Sequence, residues 1–253
     1  MKEYESLTKF WKEYDFDNKG IHKDDKCEYL LNNSIYASSY NDYMLKYKND
    51  ENYYKYHFHS GLLPCPYGGN LINSKIFLIL LNPGFDDSDY KFEDDIEFKN
   101  EMIKNLKQEP MDFPFLALNP KYKESGGFKW WTKKLNPLIK KLKSKYDNYN
   151  SLKYLSNTIG NLEIIAYHSK KFKSNSALLR LKSIRLTCDY ISHLLNDKNK
   201  LTIIMRKVDY ISDILGINLH SLKKENLIVF PTNEARSAHL HKYTDRIMEF
   251  LEK

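Results

Sequence analysis

Cysteine is scarce here, and long apolar runs are missing. Only three cysteines, Cys27, Cys65 and Cys188, are spread over 253 residues, with no Cys-x-x-Cys pair and no close Cys/His pairing. A disulfide framework, a zinc ribbon and an iron–sulfur cluster are thereby excluded. No stretch approaches the ~18 apolar residues of a membrane helix, and the amino-terminal MKEYESLTKFWKEYD has no apolar signal region. A cytoplasmic protein with no membrane contact and no obligate protein partner is expected. His239 and His241 lie two apart, not four, so neither a metal nor any other cofactor is expected. No internal repeat or low-complexity linker divides the chain, and its length suffices for one sizeable core.

What is present is positive charge, a net +7. Lysine is common throughout, so the distribution says more than the total. Lys133, Lys134, Lys140, Lys141, Lys143 and Lys145 form one basic cluster; Lys170, Lys171, Lys173, Arg180, Lys182 and Arg185 form a second. A solvated helix face explains either alone. Two clusters near expected loop sites point to a polyanionic partner, DNA. Asp86 to Glu97 is by contrast strongly acidic.

The organising stretch is Ser74 to Tyr90, SKIFLILLNPGFDDSDY. Ile76 to Leu81 is uninterrupted apolar sequence and reads as a strand buried on both faces. It stops at Asn82-Pro83-Gly84, where proline has no amide hydrogen for a sheet and glycine permits a sharp turn. Further strands are expected at Leu162–Tyr167, Leu201–Met205 and Leu227–Phe230. Helices are expected at Phe92–Leu106, Phe128–Tyr146 (interrupted at Asn136-Pro137), Ser176–Leu195, Val208–Leu215 and Ala238–Leu251. This alternation predicts an α/β fold: a three-layer α/β/α sandwich around a mostly parallel four-stranded sheet. Residues 1–60 read as a helical N-terminal extension to a domain of residues 61–253. A Pro/Gly-rich loop, His59 to Asn70, leads into the first strand. Open sheets of this kind bind ligands at the carboxyl ends of their strands, where the Asn82 turn falls.

These motifs resemble the uracil-DNA glycosylase superfamily, most closely its mismatch-specific and single-strand-selective branches. The family's first motif is a buried strand entering Gly-x-Asn-Pro-Gly, and Leu80-Leu81-Asn82-Pro83-Gly84 matches its last three positions. Phe113-Pro114-Phe115, Asn119 and Trp130-Trp131 look like the pocket segment of the mismatch-specific branch at looser spacing. The late motif falls on Val229 to Ser237. Leu80 stands where the family has glycine, and Arg236 where it inserts an apolar wedge. The resemblance spans Leu71 to Lys253 and implies a divergent branch whose target base is uracil-like, a modified cytosine or a hypermodified phage base.

Hydrolysis of an N-glycosidic bond passes through an oxocarbenium-like sugar and an anionic leaving base. It needs a group to hold water, donors for the base and an aromatic face. Asn82 can orient the water through its amide oxygen, and Asp86, Asp87 or Asp89 can assist, with Asp86 put first. His168 sits where the family places base-reading residues and is expected to hydrogen-bond the leaving base. Tyr167 and Ser169 beside it, with Phe85 or Phe115 for stacking, complete the expected base site. Lys170, Lys171, Lys173, Arg236 and Ser237 are expected to contact DNA. Of Trp130 and Trp131, at most one faces a pocket, because adjacent helix positions diverge by about 100°. The expected activity is that of a monofunctional DNA glycosylase acting in base-excision repair or against phage DNA with modified bases. A hydrolase of nucleotide-like small molecules and a non-catalytic nucleic-acid-binding module remain as alternatives.

Overall fold

The structure, a computed structural model, describes residues 2–50, 54–231 and 240–252. Its N-terminal part holds α1 (Lys2–Lys12), α2 (Glu28–Asn32), β1 (Ser34–Ile35) and α3 (Tyr40–Lys46), and β1 pairs in parallel with β2 (Phe58–His59). Next come β3 (Tyr67–Gly68), β4 (Ile76–Leu80), α4 (Ser88–Glu93), α5 (Ile96–Lys107), α6 (Gly126–Leu142) and α7 (Asn148–Thr158). The rest is β5 (Ile159–Glu163), α8 (Lys182–Asn196), β6 (Leu201–Ile204), α9 (Val208–Leu215), β7 (Leu227–Val229) and α10 (Thr244–Glu252). Among the described residues, no helix is long and apolar enough to cross a membrane.

The main sheet runs β3-β5-β4-β6-β7. The four longer strands are parallel, and β3 lies antiparallel on the β5 edge. The expected four parallel strands are therefore present, with a short fifth contributed by the Pro/Gly-rich loop. Side chains alternate across β4, which divides the core. Phe77, Ile79 and Leu81 face a layer holding apolar residues of α1, α5, α8 and α9. Ile76, Leu78 and Leu80 face α6, α7 and α10. The result is a three-layer α/β/α sandwich.

Several boundaries differ from the sequence reading. The second parallel strand occupies 159–163, not 162–167, and carries Gly160, Asn161 and Glu163 in wholly buried positions. A Cβ on Gly160 would stand 3.1 Å from the Phe77 ring and 3.2 Å from the Gly68 carbonyl, so close approach selects glycine there. Beyond Glu163 the chain keeps to β4, with the Ile164 and Ile165 amides donating to the Leu80 and Leu81 carbonyls at 3.2 and 2.8 Å. Helix α6 runs unbroken through Pro137, because its buried stripe of Trp131, Leu135, Leu138, Ile139 and Leu142 outweighs one missing amide. Helix α7 lacks an apolar run and was not expected. The expected helix from Phe92 divides at Asp95, whose carboxylate accepts from the Glu97 and Phe98 amides and starts α5. The expected helix from Ser176 begins as a 3-10 turn before α8, and the last helix starts at Thr244.

Residues 2–50 are not an appendage to this sandwich. Leu7, Phe10 and Trp11 of α1 belong to the same buried cluster as Phe77 and Ile79, so the boundary at residue 60 does not separate two cores. Among the parallel strands, the chain passes from β4 to β5 on one side, then crosses to β6 on the other. That reversal opens a crevice at the carboxyl ends of β4 and β6.

Candidate active site

Strand β4 delivers Asn82 to the crevice. Its Nδ2 donates to the Pro83 carbonyl and to Ser169 Oγ, both at 2.9 Å. A carbonyl can only accept, so the amide orientation is fixed. Both hydrogen bonds that Asn82 makes to described residues leave from Nδ2, and Oδ1 is left as an acceptor on a half-buried side chain. The turn is pinned twice more: Ser169 N donates to the Pro83 carbonyl at 3.3 Å, and His168 Nδ1 donates to the Gly84 carbonyl at 2.8 Å. Asn82, His168 and Ser169 thus do converge.

The role expected of His168 changes, however. It is 9% exposed, and burial holds its pKa below the usual histidine range against the opposing pull of Glu93. A neutral ring that spends its proton on Gly84 has none at Nε2, which is buried and makes no hydrogen bond in normal geometry. His168 clamps the turn, with Nδ1 on the Gly84 carbonyl and Nε2 enclosed away from the crevice surface. Tyr167 is also removed from the crevice: its hydroxyl donates to Asp25 Oδ2 at 2.9 Å and accepts from the His22 amide at 3.1 Å, inside the core. Phe115 is buried edge-on against Trp131, ring centres 4.8 Å apart. Phe85 stays at the turn, half-buried, with one face taken by His59 at 3.5 Å and 13°.

The wall behind Phe85 comes from the N-terminal region. Tyr43 stacks on Tyr90 at 4.9 Å and donates its hydroxyl to Asp87 Oδ1 at 2.8 Å. His59 N donates to the His168 carbonyl at 2.9 Å. Burial, with His168, His57 and Lys170 nearby, pushes the His59 pKa down to about 3. Glu93, also buried, accepts from the Leu63 amide at 2.9 and 3.0 Å and from Lys19 Nζ at 2.9 Å.

The three aspartates of the turn can now be ranked. Asp87 is engaged by Tyr43. Asp86 is exposed, accepts from Ser88 N at 3.0 Å and Ser88 Oγ at 2.5 Å, and lies against the amino end of α6, where a Cβ on Gly126 would come within 2.9 Å of its own Cβ. That helix end favours an anion. Asp89 is half-buried, accepts from the Asp86 amide at 2.9 Å, and is pushed up to about 7 by desolvation, with Asp86 and Asp87 adding to the effect. It is the carboxyl poised to exchange a proton near neutrality.

Glu163, absent from the sequence reading, ends β5 beside Leu80. It is 5% exposed; Oε1 accepts from Asn161 Nδ2 at 3.1 Å, and Oε2 is buried with no hydrogen-bond partner. Desolvation pushes its pKa up to about 8, although Asn161 and Arg206 pull the other way. Burial above all, with the charges of Glu93, Asp89 and Glu163 adding to it, holds the Cys65 thiol well above its usual range, so it is no thiolate nucleophile. Arg206 follows β6 directly. Its guanidinium lies 5.5 Å from the Trp130 ring centre, and Lys134 Nζ lies 5.3 Å from the same ring. Trp131 belongs to the core and Trp130 to this cation cluster, so one of the pair faces outward. The signals for Glu163 and Arg206 were an acid inside an apolar stretch and a cation directly after one.

Lys170, Lys171 and Lys173 are exposed on the loop after β5. The other basic cluster is partly neutralised: Lys141 pairs with Asp245, and Lys145 with Glu252 at 2.7 Å, across α6 and α10. Arg236 and Ser237 lie outside the described residues. Among the described residues, no three His, Cys, Asp or Glu side chains group as a metal ion needs. Comparison with protein-family models, with curated proteins and with solved structures finds no match to the chain.

Proposed function

We propose that the protein is a monofunctional DNA glycosylase that hydrolyses the N-glycosidic bond of a damaged or modified base and leaves an abasic site. The observation that carries this reading is the fixed amide of Asn82, whose Oδ1 is left as an acceptor at the turn after β4, with Asp89 following in the first turn of α4. Oδ1 orients a water, and ionised Asp89 takes a proton from it. The water oxygen bonds to C1′ as the C1′–N bond breaks, and the bond pair leaves with the base. Glu163, beside Leu80 and protonated below its raised pKa of about 8, has Oε2 enclosed and acts on the site through its charge state rather than by touching the base. Phe85 supplies a ring face, and the loop lysines face the phosphates. The role is base-excision repair or attack on modified phage DNA.

The paired lysines of α6 leave less free positive surface than the composition indicated, which favours the small-molecule alternative. The deciding experiment incubates the protein with single- and double-stranded DNA carrying uracil, mismatched thymine or glucosylated hydroxymethylcytosine, then treats with alkali. Alkali-dependent strand breaks at one of these bases are expected. DNA binding without base release from any of them would point to the non-catalytic module.

A further inference from the structure

A depression lies at the carboxyl end of β4, lined in part by Leu81, the residue before Asn82. Its volume is about 460 Å³, within the range of small-ligand pockets. Tyr56, Phe172 and Tyr210 supply its aromatic wall, Lys173 and Lys207 its charge, and Ser174 a hydroxyl. Its residues come from the segment before β2, the end of β4, the loop after β5, the β6–α9 connection and α9 itself.

The lining is specific in kind. Phe172 and Tyr210 are tilted against each other with ring centres 5.7 Å apart, partly buried against the core and lining the depression. The Tyr210 hydroxyl is shielded from water and has no hydrogen-bond partner. Lys207 has φ 53° and ψ 41°, a left-handed conformation that disfavours lysine and that asparagine or glycine would adopt with less strain. A charged residue held in that backbone state, in the lining of an aromatic-walled cavity, motivates a functional reading of its ammonium. Rings for a base and ammonium groups for a phosphate are the two halves of single-strand recognition.

We propose that this cavity is a subsite for a nucleotide of single-stranded DNA next to the one whose base is presented to Asn82. Its base stacks on the Phe172–Tyr210 wall, and its phosphate is held by Lys173 and Lys207. This rests on the glycosylase reading for its choice of strand, but its binding chemistry is independent of cleavage. The subsite holds the strand where an extruded neighbour can enter the turn, and it makes unpaired or locally opened DNA the preferred substrate.

The test uses fluorescence anisotropy with two labelled, uncleavable octamers: oligothymidylate, and a base-free tetrahydrofuran phosphodiester of equal charge. Phe172→Leu is expected to weaken oligothymidylate binding about tenfold, the effect of losing one stacked base, and to leave the base-free octamer unchanged. Lys207→Asn, which suits the left-handed backbone and so keeps the fold, is expected to weaken both octamers and lower the salt slope by about one unit. Lys173→Gln should act likewise. Equal loss on both octamers with Phe172→Leu, or no loss on either, would overturn the stacking assignment. An unchanged salt slope in Lys207→Asn would overturn the phosphate assignment. Displacement of the octamer by thymidine monophosphate at the octamer's own Kd would make the site one for free nucleotides instead. No arm requires base release, so a failed glycosylase assay leaves this result readable.

Discussion

The two sides of the crevice are built on opposite lines. Around Asn82 the groups are half-buried or buried, acidic, and fixed by hydrogen bonds from three chain segments. Around Phe172 and Lys207 they are aromatic and basic, in an open depression. Groups that must meet a reacting atom need position, and desolvation that moves their pKa; groups that grip a strand need reach and charge. On the proposed function, the first side carries the chemistry and the second the grip. The N-terminal region serves both: Tyr43, His59 and Lys19 hold Asp87, the Phe85 ring and Glu93 in place on the first side, and Tyr56 lines the second.

The largest expected effect breaks the chemical side. Asp89→Asn should lower single-turnover base release at pH 8 by on the order of 100-fold or more, the usual contribution of a general base. It should also remove the acid limb, which in the wild type rises through pH about 7 as Asp89 ionises. Glu163→Gln stays neutral and loses the titration. Its rate at pH 7 should stay within about tenfold of wild type, or ~1.4 kcal/mol, and the decline above pH about 8 should vanish. Together the two variants dissect a bell-shaped profile, measured by base release against pH.

A smaller effect concerns the wall rather than the reacting groups. His59 binds a proton less readily folded (about 3) than at its ordinary value of 6.5. Between those values the unfolded chain takes up more protons, so stability is complete above pH 6.5 and lost as pH falls toward 3. His59 alone should account for about 2–3 kcal/mol between pH 7 and pH 4.5. His59→Phe keeps the stack on Phe85 and should flatten that loss in urea titrations at the two pH values. The smallest effect lies on the gripping side. Lys170→Gln and Lys171→Gln should each reduce the slope of log affinity against log salt by about one unit, with turnover of bound DNA unchanged.

How much of this was legible depended on whether the determining contacts were local. β4 and the Asn82 turn could be read directly, because an apolar run and a Pro-Gly stop act within a few residues. β6, β7 and α9 followed the same rule. β5 did not, since Gly160 answers to the Phe77 ring, and Asn161 and Glu163 satisfy each other in a buried strand. Tyr167 and His168 were expected at a strand end, but β5 stops at Glu163 and the two side chains part beyond it. Tyr167 turns to Asp25, which lies 142 residues away in sequence. The N-terminal wall was invisible for the same reason: Tyr43 and Asp87 are 44 residues apart. Tyrosine richness gave no sign of which ring meets which carboxylate.

The most direct test of the division between chemistry and grip is Asn82→Ala, assayed for both single-turnover base release and DNA affinity. The expected result is a rate loss of about 100- to 1000-fold, the ~3–4 kcal/mol of one positioned catalytic dipole, with Kd within a few-fold of wild type. A rate within tenfold of wild type, or a loss of affinity that accounts for the loss of rate, would contradict it.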